Sequence, residues 1–315
     1  MTVAGDPVHS GGCLCGAVRY RVVAGDSQTV THCHCRMCRK ATGGSFITWV
    51  EFPAKDFAFT TSEPHYFRSS DLSERGFCGH CGCQLTFRDV GDPGGFDQDI
   101  WVALGGLDRA GDIVPTHHIF TDYQLPGLDL DDGLPRWPEQ LPWLLLDGEL
   151  PHPTVPDDNE EPRPTAAPAT DEFHEGGCLC GSVRYRATID DALLVSHCHC
   201  GMCRKATGAT LVGWVLVPAD GFAFTRGEPA SFRSSTAAER RFCATCGCHV
   251  TFQVTNEAVD PSKRMWVAIG STDRPETFDP THQAFTGDRL PWLKLSGGLQ
   301  SWPGLLPGPR ADDSL

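Results

Sequence analysis

The stretch GGCLCGAVRYR, at residues 11–21, returns almost unchanged as GGCLCGSVRYR at residues 176–186. The separation of 165 residues, from position 11 to position 176, also relates HCHCRMCRKATGG, which begins at His32, to HCHCGMCRKATGA, which begins at His197. FCGHCGCQLTF returns as FCATCGCHVTF at the same separation. An ungapped repeat of this length indicates a tandem duplication of one small domain.

Charge and hydropathy exclude several classes of partner. The 315 residues include 40 acidic and 26 basic side chains, which give a formal net charge of -14. This negative field repels phosphate backbones and anionic lipid, so we expect neither nucleic acid nor a membrane as a partner. Met1 to Ser10 lacks the features of a signal peptide, and no apolar run approaches the roughly 20 residues that cross a bilayer. We therefore expect a soluble, cytoplasmic protein of undetermined oligomeric state.

A segment rich in proline and acid, PHPTVPDDNEEPRPTAAPATDE, occupies residues 151–172 between the copies. It has too few large apolar residues to fold, which predicts an extended linker. The predicted domains are residues 1–150 and residues 173–315, each folding around its own core.

The copies diverge near their C-terminal ends. LPWLLLDG, from Leu141, matches LPWLKLSG, from Leu290, at a separation of 149 rather than 165. This match predicts that the first copy holds about 16 additional residues between Tyr123 and Gln140, rich in Gly, Pro and Asp and therefore a loop.

Within each copy the apolar pattern is that of β-strands. Val18, Tyr20 and Val22 alternate with Arg19 and Arg21, which is the period of a half-buried strand. SFITWVEF, FAFT, QLTF and IWVAL are rich in aromatic and β-branched residues and are bounded by turn formers. We expect an all-β, mainly antiparallel domain with cysteine motifs at its turns.

The 16 cysteines fall into the same three groups in each copy. Without a signal peptide, such spacing favours zinc over disulfides. A CxC pair followed far along the chain by CxxCG suits a closed four-thiolate site, and Gly82 and Gly247 suit its tight turn. The CHCRMC and CHCGMC clusters supply only three thiolates and leave a tetrahedral metal one open position, where chemistry can occur.

These motifs, with the later WVALG and PTHH segments, resemble the glutathione-dependent formaldehyde-activating enzymes, a family grouped with the centromere protein V domain. The resemblance covers nearly all of both copies. It implies two tandem zinc-containing β domains of the Mss4-like type, with a structural zinc and a second, open zinc in each copy. Four zinc ions per chain are therefore expected.

The resemblance also assigns each cysteine motif a role. It implies structural zinc ligands at Cys13, Cys15, Cys78 and Cys81, and at Cys178, Cys180, Cys243 and Cys246. It implies catalytic zinc ligands at Cys33, Cys35 and Cys38, and at Cys198, Cys200 and Cys203.

Several neighbouring residues have alternative interpretations. Cys83 and Cys248 can each close the second zinc site or be ordinary buried thiols. The histidines that flank the thiolates, His32, His34, His197 and His199, are interpreted as hydrogen-bonding residues rather than ligands. Arg39 and Lys40, with Arg204 and Lys205, can meet a substrate carboxylate or form a solvated basic turn. Trp101 and Trp266 are predicted to belong to the core.

The activity implied by the resemblance is that of a carbon-sulfur lyase of the S-(hydroxymethyl)glutathione synthase type. It adds a thiol, glutathione or another low-molecular-weight thiol as co-substrate, reversibly to formaldehyde or another small aldehyde. The alternative is a zinc-stabilised thiol carrier or protein-interaction module without catalysis. A dithiol oxidoreductase lacks the required βαβ context. Because every cysteine recurs in the second copy, we expect both copies to be competent and independent.

Overall fold

The computed structural model describes residues 7–23, 29–90, 98–140, 173–188, 194–255 and 264–306. Within these ranges the chain is mostly β-structure with two short α-helices, arranged as two tandem sheet domains, so the predicted all-β, Mss4-like class is confirmed. The predicted linker lies outside the described residues. No described helix has both the length and the apolar character needed to cross a bilayer.

The described part of the first copy forms ten strands and one α-helix. They are β1 (Val8–Gly12), β2 (Arg19–Val23), β3 (Val30–Cys33), α1 (Arg36–Thr42), β4 (Ile47–Pro53), β5 (Phe57–Phe59), β6 (His65–Arg68), β7 (Ser73–Phe77), β8 (Gln84–Asp89), β9 (Asp99–Ala103) and β10 (His117–Ile119). Short 3-10 helices span Ala54–Asp56, Leu104–Gly106, Ala110–Asp112 and Thr121–Tyr123.

The second copy repeats this order and adds one short strand. Its elements are β11 (Phe173–Gly177), β12 (Arg184–Thr188), β13 (Val195–Cys198), α2 (Gly201–Thr207), β14 (Val212–Pro218), β15 (Phe222–Arg226), β16 (Ala230–Ser235), β17 (Ala238–Phe242), β18 (His249–Val254), β19 (Arg264–Ala268), β20 (His282–Ala284) and β21 (Gln300–Ser301). Its 3-10 helices span Ile269–Ser271, Pro275–Thr277 and Thr286–Asp288.

Each copy builds one small and one large sheet. In the first copy the orders are β1-β2-β5 and β10-β3-β4-β9-β8-β7-β6, and in the second they are β11-β12-β15 and β16-β17-β18-β19-β14-β13-β20-β21. Strand β2 shows the expected alternation, since Tyr20 and Val22 are buried while Arg21 is exposed. Most pairs are antiparallel, as predicted, but β10 runs parallel to β3, and β20 runs parallel to β13 and β21.

The two copies share one hydrophobic core. A single cluster of buried residues joins Val18 and Val50 of the first copy to Val183 and Val267 of the second. The prediction that each copy folds around its own core is therefore wrong. The composition of the linker indicates only that the copies are joined by an extended segment. Whether the copies pack together depends on the apolar surface of each copy, which the linker sequence does not show.

Reciprocal backbone contacts join the end of each helix to the other copy. Gly105 N donates to Gly208 O at 3.2 Å, and Gly270 N donates to Gly43 O at 3.1 Å. Gly43 and Gly208 end α1 and α2 in the left-handed conformation, with φ of 78° and 77°. Phe46 also forms an antiparallel bridge with the equivalent Leu211 of the other copy. The copies therefore face each other about an approximate twofold axis.

The predicted insertion in the first copy is wrong. Thr121 N donates to Trp137 O at 3.0 Å, and Thr286 N donates to Trp302 O at 2.9 Å, so the separation of 165 continues through this region. The turn that begins at Leu125 likewise corresponds to the turn that begins at Leu290. The short LPW match is misleading because Gly127 stands where the second copy has Trp292.

Candidate metal and active centres

The CxC and CxxC motifs of the first copy meet between the two sheets. Cys13 and Cys15 follow β1, while Cys78 and Cys81 form the turn between β7 and β8. The Cys13 and Cys15 Sγ atoms are 3.4 Å apart, and the Cys15 and Cys78 Sγ atoms are 3.6 Å apart. Gly82 has a φ of +76°, as the tight turn requires.

The second copy forms the same cluster from Cys178, Cys180, Cys243 and Cys246. In each cluster the four sulfur atoms lie within 4.8 Å of one another, and all of the cysteines are free. Sulfur atoms in a disulfide are about 2 Å apart, whereas thiolates around tetrahedral zinc are roughly 3.8 Å apart. The observed spacing therefore fits zinc ligands and excludes disulfides in this arrangement.

Cys83 and Cys248 lie outside every such group among the described residues. Each is fully buried, and its thiol donates to a backbone carbonyl, Gln84 O at 3.3 Å or His249 O at 3.4 Å. Burial raises the pKa of both thiols well above the usual value. Of the two alternatives, the structure favours ordinary buried thiols.

The middle cysteines of the first copy converge where β3 gives way to α1. Cys33 ends the strand, Cys35 caps the helix, and Cys38 lies in its first turn. The Cys33 and Cys38 Sγ atoms are 3.6 Å apart, and Cys38 N donates to Cys35 Sγ at 3.3 Å. The three sulfur atoms lie within 4.8 Å of one another. Their spacing suits a zinc ion that keeps one further position for another ligand.

Cys198, Cys200 and Cys203 form the equivalent three-thiolate cluster in the second copy. Cys203 N donates to Cys200 Sγ at 3.2 Å, which repeats the helix cap. Cys200 is half-buried, whereas Cys35 is buried. The second cluster is therefore more accessible to solvent than the first.

A buried arginine contacts each three-thiolate cluster. Both terminal nitrogens of Arg75 lie 3.6 Å from Cys38 Sγ, and Arg240 Nη2 lies 3.4 Å from Cys203 Sγ. The pKa of Cys38 is well below its usual value because the neighbouring Cys33 and Cys35 thiols donate hydrogen bonds and the Arg75 charge is close. Neither arginine is predicted from the sequence as part of a site, although the two occur at equivalent positions of the repeat.

Aromatic side chains cover the three-thiolate clusters. Trp49, Phe87 and Trp101 pack against the first cluster, and Trp214, Phe252 and Trp266 pack against the second. Trp101 and Trp266 are half-buried and pack against these two smaller hydrophobic clusters rather than against the main core, so the prediction that they belong to the core is confirmed only in part. An apolar wall of this kind limits water around a metal-bound ligand.

Phe120 and Phe285 add to the aromatic cover of the three-thiolate clusters, and each has a strained backbone conformation. Both pack against their cluster, and both have a φ of 56°, in the left-handed region that large side chains rarely adopt. Such a conformation costs on the order of 1–3 kcal/mol and is commonly held at functional sites.

The side chains of Arg39 and Lys40 are buried and make hydrogen bonds or ion pairs within the protein. Arg39 is buried and donates to the carbonyl oxygens of His34 and Tyr123. Lys40 is also buried and pairs with Asp273 of the other copy at 2.7 Å. Both interpretations from the sequence, a substrate-binding pair and a solvated basic turn, are therefore wrong for this copy.

The equivalent residues of the second copy are less buried but have similar partners. Arg204 donates to His199 O and to Asp288 O, the latter at 2.8 Å, and Lys205 pairs with Asp108 of the first copy at 2.5 Å. The lysine after each cluster therefore pairs with the other copy, whereas the arginine before it contacts carbonyl oxygens of its own copy.

Three of the four histidines beside the thiolates, His32, His34 and His199, form side-chain hydrogen bonds, as predicted. His34 Nε2 lies 3.0 Å from His118 Nδ1, and His199 Nε2 lies 2.9 Å from Gln283 Oε1. None of these histidines belongs to a cysteine cluster among the described residues.

Comparison with known families finds one match that covers both copies. The profile of the glutathione-dependent formaldehyde-activating enzyme family matches residues 8–123 and 173–288, more than half of the chain. Each matched region contains one four-thiolate and one three-thiolate cluster.

Two curated relatives are similar over shorter stretches. An uncharacterized lyase of Schizosaccharomyces pombe is 34% identical over 90 residues, which is 26% of this chain and 59% of that protein. A protein of Halomonas elongata, named provisionally as a glutathione-dependent formaldehyde-activating enzyme, is 32% identical over 86 residues, which is 25% of this chain and 55% of that protein. The matched stretch thus spans less than two thirds of either relative.

Proposed function

The chain belongs to the glutathione-dependent formaldehyde-activating enzyme family, and on that premise we propose that it is a zinc-dependent carbon-sulfur lyase. The proposed reaction is the reversible addition of a thiol to a small aldehyde, in which the thiol sulfur bonds to the carbonyl carbon and the thiol proton passes to the carbonyl oxygen. Glutathione is the proposed thiol and formaldehyde the proposed aldehyde. A lyase role also agrees with the name of the relative from Schizosaccharomyces pombe.

The observation that carries this proposal is the three-thiolate cluster under an aromatic wall in both copies. Cys33, Cys35 and Cys38, with Cys198, Cys200 and Cys203, are the proposed catalytic ligands. Zinc bound there would supply an open position and lower the pKa of a thiol ligand. The four-thiolate clusters, which have no open position, are proposed as structural zinc sites.

The side chains around the cluster suit this chemistry. The Arg75 guanidinium lies against Cys38 Sγ and offsets part of the negative charge that three thiolates concentrate in a buried place. Trp49 and Phe87, with ring centroids 5.8 Å apart, form an apolar surface that excludes water from a bound aldehyde. Such a surface favours the carbon-sulfur adduct over hydration of the aldehyde.

The test measures how fast zinc-loaded protein forms and cleaves the adduct of glutathione and formaldehyde. NMR exchange spectroscopy gives the rate of exchange between the free thiol and the adduct, which should exceed the uncatalysed rate. Cys35→Ser and Cys200→Ser should each leave about half of the activity, and the double variant should have none. Substitution by other thiols and aldehydes then defines the substrate pair.

A wild-type protein that binds glutathione without accelerating the exchange would be a thiol carrier, and the lyase proposal would be wrong. Near-total loss of activity from either single variant would show that the packed copies are coupled rather than independent.

A further inference from the structure

We propose that His32, His118 and Asp132 form an additional metal site, present in the first copy alone, for a divalent transition-metal ion. One ligand atom from each of the three side chains lies within 4.8 Å of the others. The site contains no cysteine and is separate from the proposed lyase centre, so it goes beyond the proposed function.

The buried imidazole of His32 has one nitrogen without a partner. Its Nδ1 lies 2.7 Å from Thr48 Oγ1, while its Nε2 is buried and has no hydrogen-bond partner among the described residues. The side chain is fully buried, so solvent cannot reach this nitrogen. A buried polar atom without a partner destabilises the fold, and a metal ion at Nε2 would supply the missing partner.

The other two ligands are already oriented towards each other. His118 Nε2 lies 2.9 Å from Asp132 Oδ2, and His118 Nδ1 lies 3.0 Å from His34 Nε2. The bond to His34 fixes the His118 ring, as commonly occurs for histidines that bind metals. This contact also leaves Nε2 as the nitrogen that His118 can offer.

Neighbouring residues orient the Asp132 carboxylate and cover the His32 ring. Arg136 lies 3.8 Å from Asp132 Oδ1, and Leu134 N donates to the same oxygen at 3.2 Å, so Oδ2 is the atom that faces His118. Trp292, from the second copy, covers His32 with a ring-centroid separation of 5.5 Å. The site therefore lies at the contact between the copies.

The second copy lacks this donor set. The residues equivalent to His32, His118 and Asp132 are His197, Gln283 and Gly297, so only one ligand remains. Gln283 nevertheless keeps the contact with His199 that corresponds to the contact between His118 and His34. A glutamine at position 118 is therefore compatible with the fold.

Two imidazoles and one carboxylate suit borderline ions such as Zn²⁺, Co²⁺, Ni²⁺ or Fe²⁺. Ca²⁺ needs six to eight oxygen ligands, and Mg²⁺ likewise prefers oxygen. Cobalt is the most informative probe, because nitrogen and oxygen ligands give weak visible bands, whereas thiolate ligands add intense charge-transfer absorption.

The experiment adds Co²⁺ to the full chain after it has been loaded with only four equivalents of zinc, which the four cysteine clusters take first because thiolates bind zinc more tightly than two imidazoles and one carboxylate do. We expect the wild type to bind one more metal ion per chain than His118→Gln or Asp132→Gly, with no charge-transfer absorption from thiolate. His197→Gln, in the second copy, is the matched control and should bind as much cobalt as the wild type.

Equal cobalt binding by the wild type and His118→Gln would overturn the proposal, as would an equal loss in His197→Gln. Charge-transfer absorption would also overturn it, because the cobalt would then occupy a cysteine cluster. Zinc content measured before the addition verifies the fold of each variant. If His118→Gln loses zinc, the comparison rests on Asp132→Gly, which replaces a partly exposed residue by its counterpart in the second copy.

Discussion

The Lys40 ammonium lies 2.7 Å from the Asp273 carboxylate, so a buried cation of the first copy is neutralised by an anion of the second. Lys40 also donates to Ser271 O at 2.8 Å. Burial acts to raise the pKa of Asp273, but hydrogen bonds from Arg184 and the charge of Lys40 bring it well below its usual value. The contact therefore holds both carboxylate and ammonium charged where solvent is largely excluded.

The two equivalent ion pairs should differ in strength. The Lys40 side chain is 8% exposed and that of Lys205 is 27% exposed. Lys40→Met should cost about 1–3 kcal/mol, because it removes charged hydrogen bonds from a buried place. Lys205→Met should cost less than about 1 kcal/mol, since its pair is near the surface. The melting temperature should therefore fall further in Lys40→Met than in Lys205→Met. An equal fall in the two variants would contradict this prediction.

Gly43→Ala should destabilise the chain more than Gly298→Ala does. Both glycines have a positive φ, which costs an alanine about 1–2 kcal/mol. A Cβ at Gly43 would also meet His249 O of the other copy at 2.2 Å, whereas a Cβ at Gly298 would meet nothing within 4 Å. Calorimetric unfolding measures both. Equal losses of stability in the two variants would contradict the prediction, because the contact between Gly43 and His249 would then contribute nothing to stability.

The two kinds of cysteine should respond differently to serine. Cys78→Ser removes one of four converging ligands beside the shared core, so we expect loss of one zinc and a large fall in melting temperature. Cys35→Ser should lower activity with a smaller loss of stability, because serine is itself a good helix N-cap and can accept from Cys38 N. Zinc analysis and thermal unfolding test this division. Equal destabilisation would refute it.

The second copy alone, residues 173–315, should not remain a monomer. Leu211 is fully buried against the first copy and would become exposed with its neighbours. Because Leu211 and Phe46 occupy equivalent positions, another second copy can take the place of the first. Sedimentation of this fragment should therefore show self-association, whereas a stable, zinc-loaded monomer would contradict a shared core.

Local patterns were sufficient to predict the cysteine clusters and five of the ten strands of the first copy, namely β2, β4, β5, β8 and β9. The alternation around Tyr20 predicts β2, and the CxC and CxxC spacings predict which thiolates converge, because each pair is fixed by its own short turn. These features depend on neighbours in the chain and on a repeat that shows them twice.

Features that depend on packing between distant segments could not be predicted in this way. In the sequence, Arg75 has the appearance of an ordinary strand residue. Only the packing of β7 beside α1 brings its guanidinium into contact with Cys38 Sγ. Lys40 looks like a surface cation because its partner is 233 residues away. The contact between His118 and Asp132 likewise requires the parallel strand β10 and the turn that follows it.

Gly127 and Trp292 occupy equivalent positions in the two copies, yet only the tryptophan covers a histidine of its neighbour. Two identical chains paired about a twofold axis would carry the same residue on both sides, so any change at the contact would occur twice. Joining the halves in one polypeptide removes that constraint. The duplicated chain is in effect a heterodimer that never has to select its partner, and each side of its contact can acquire a separate role.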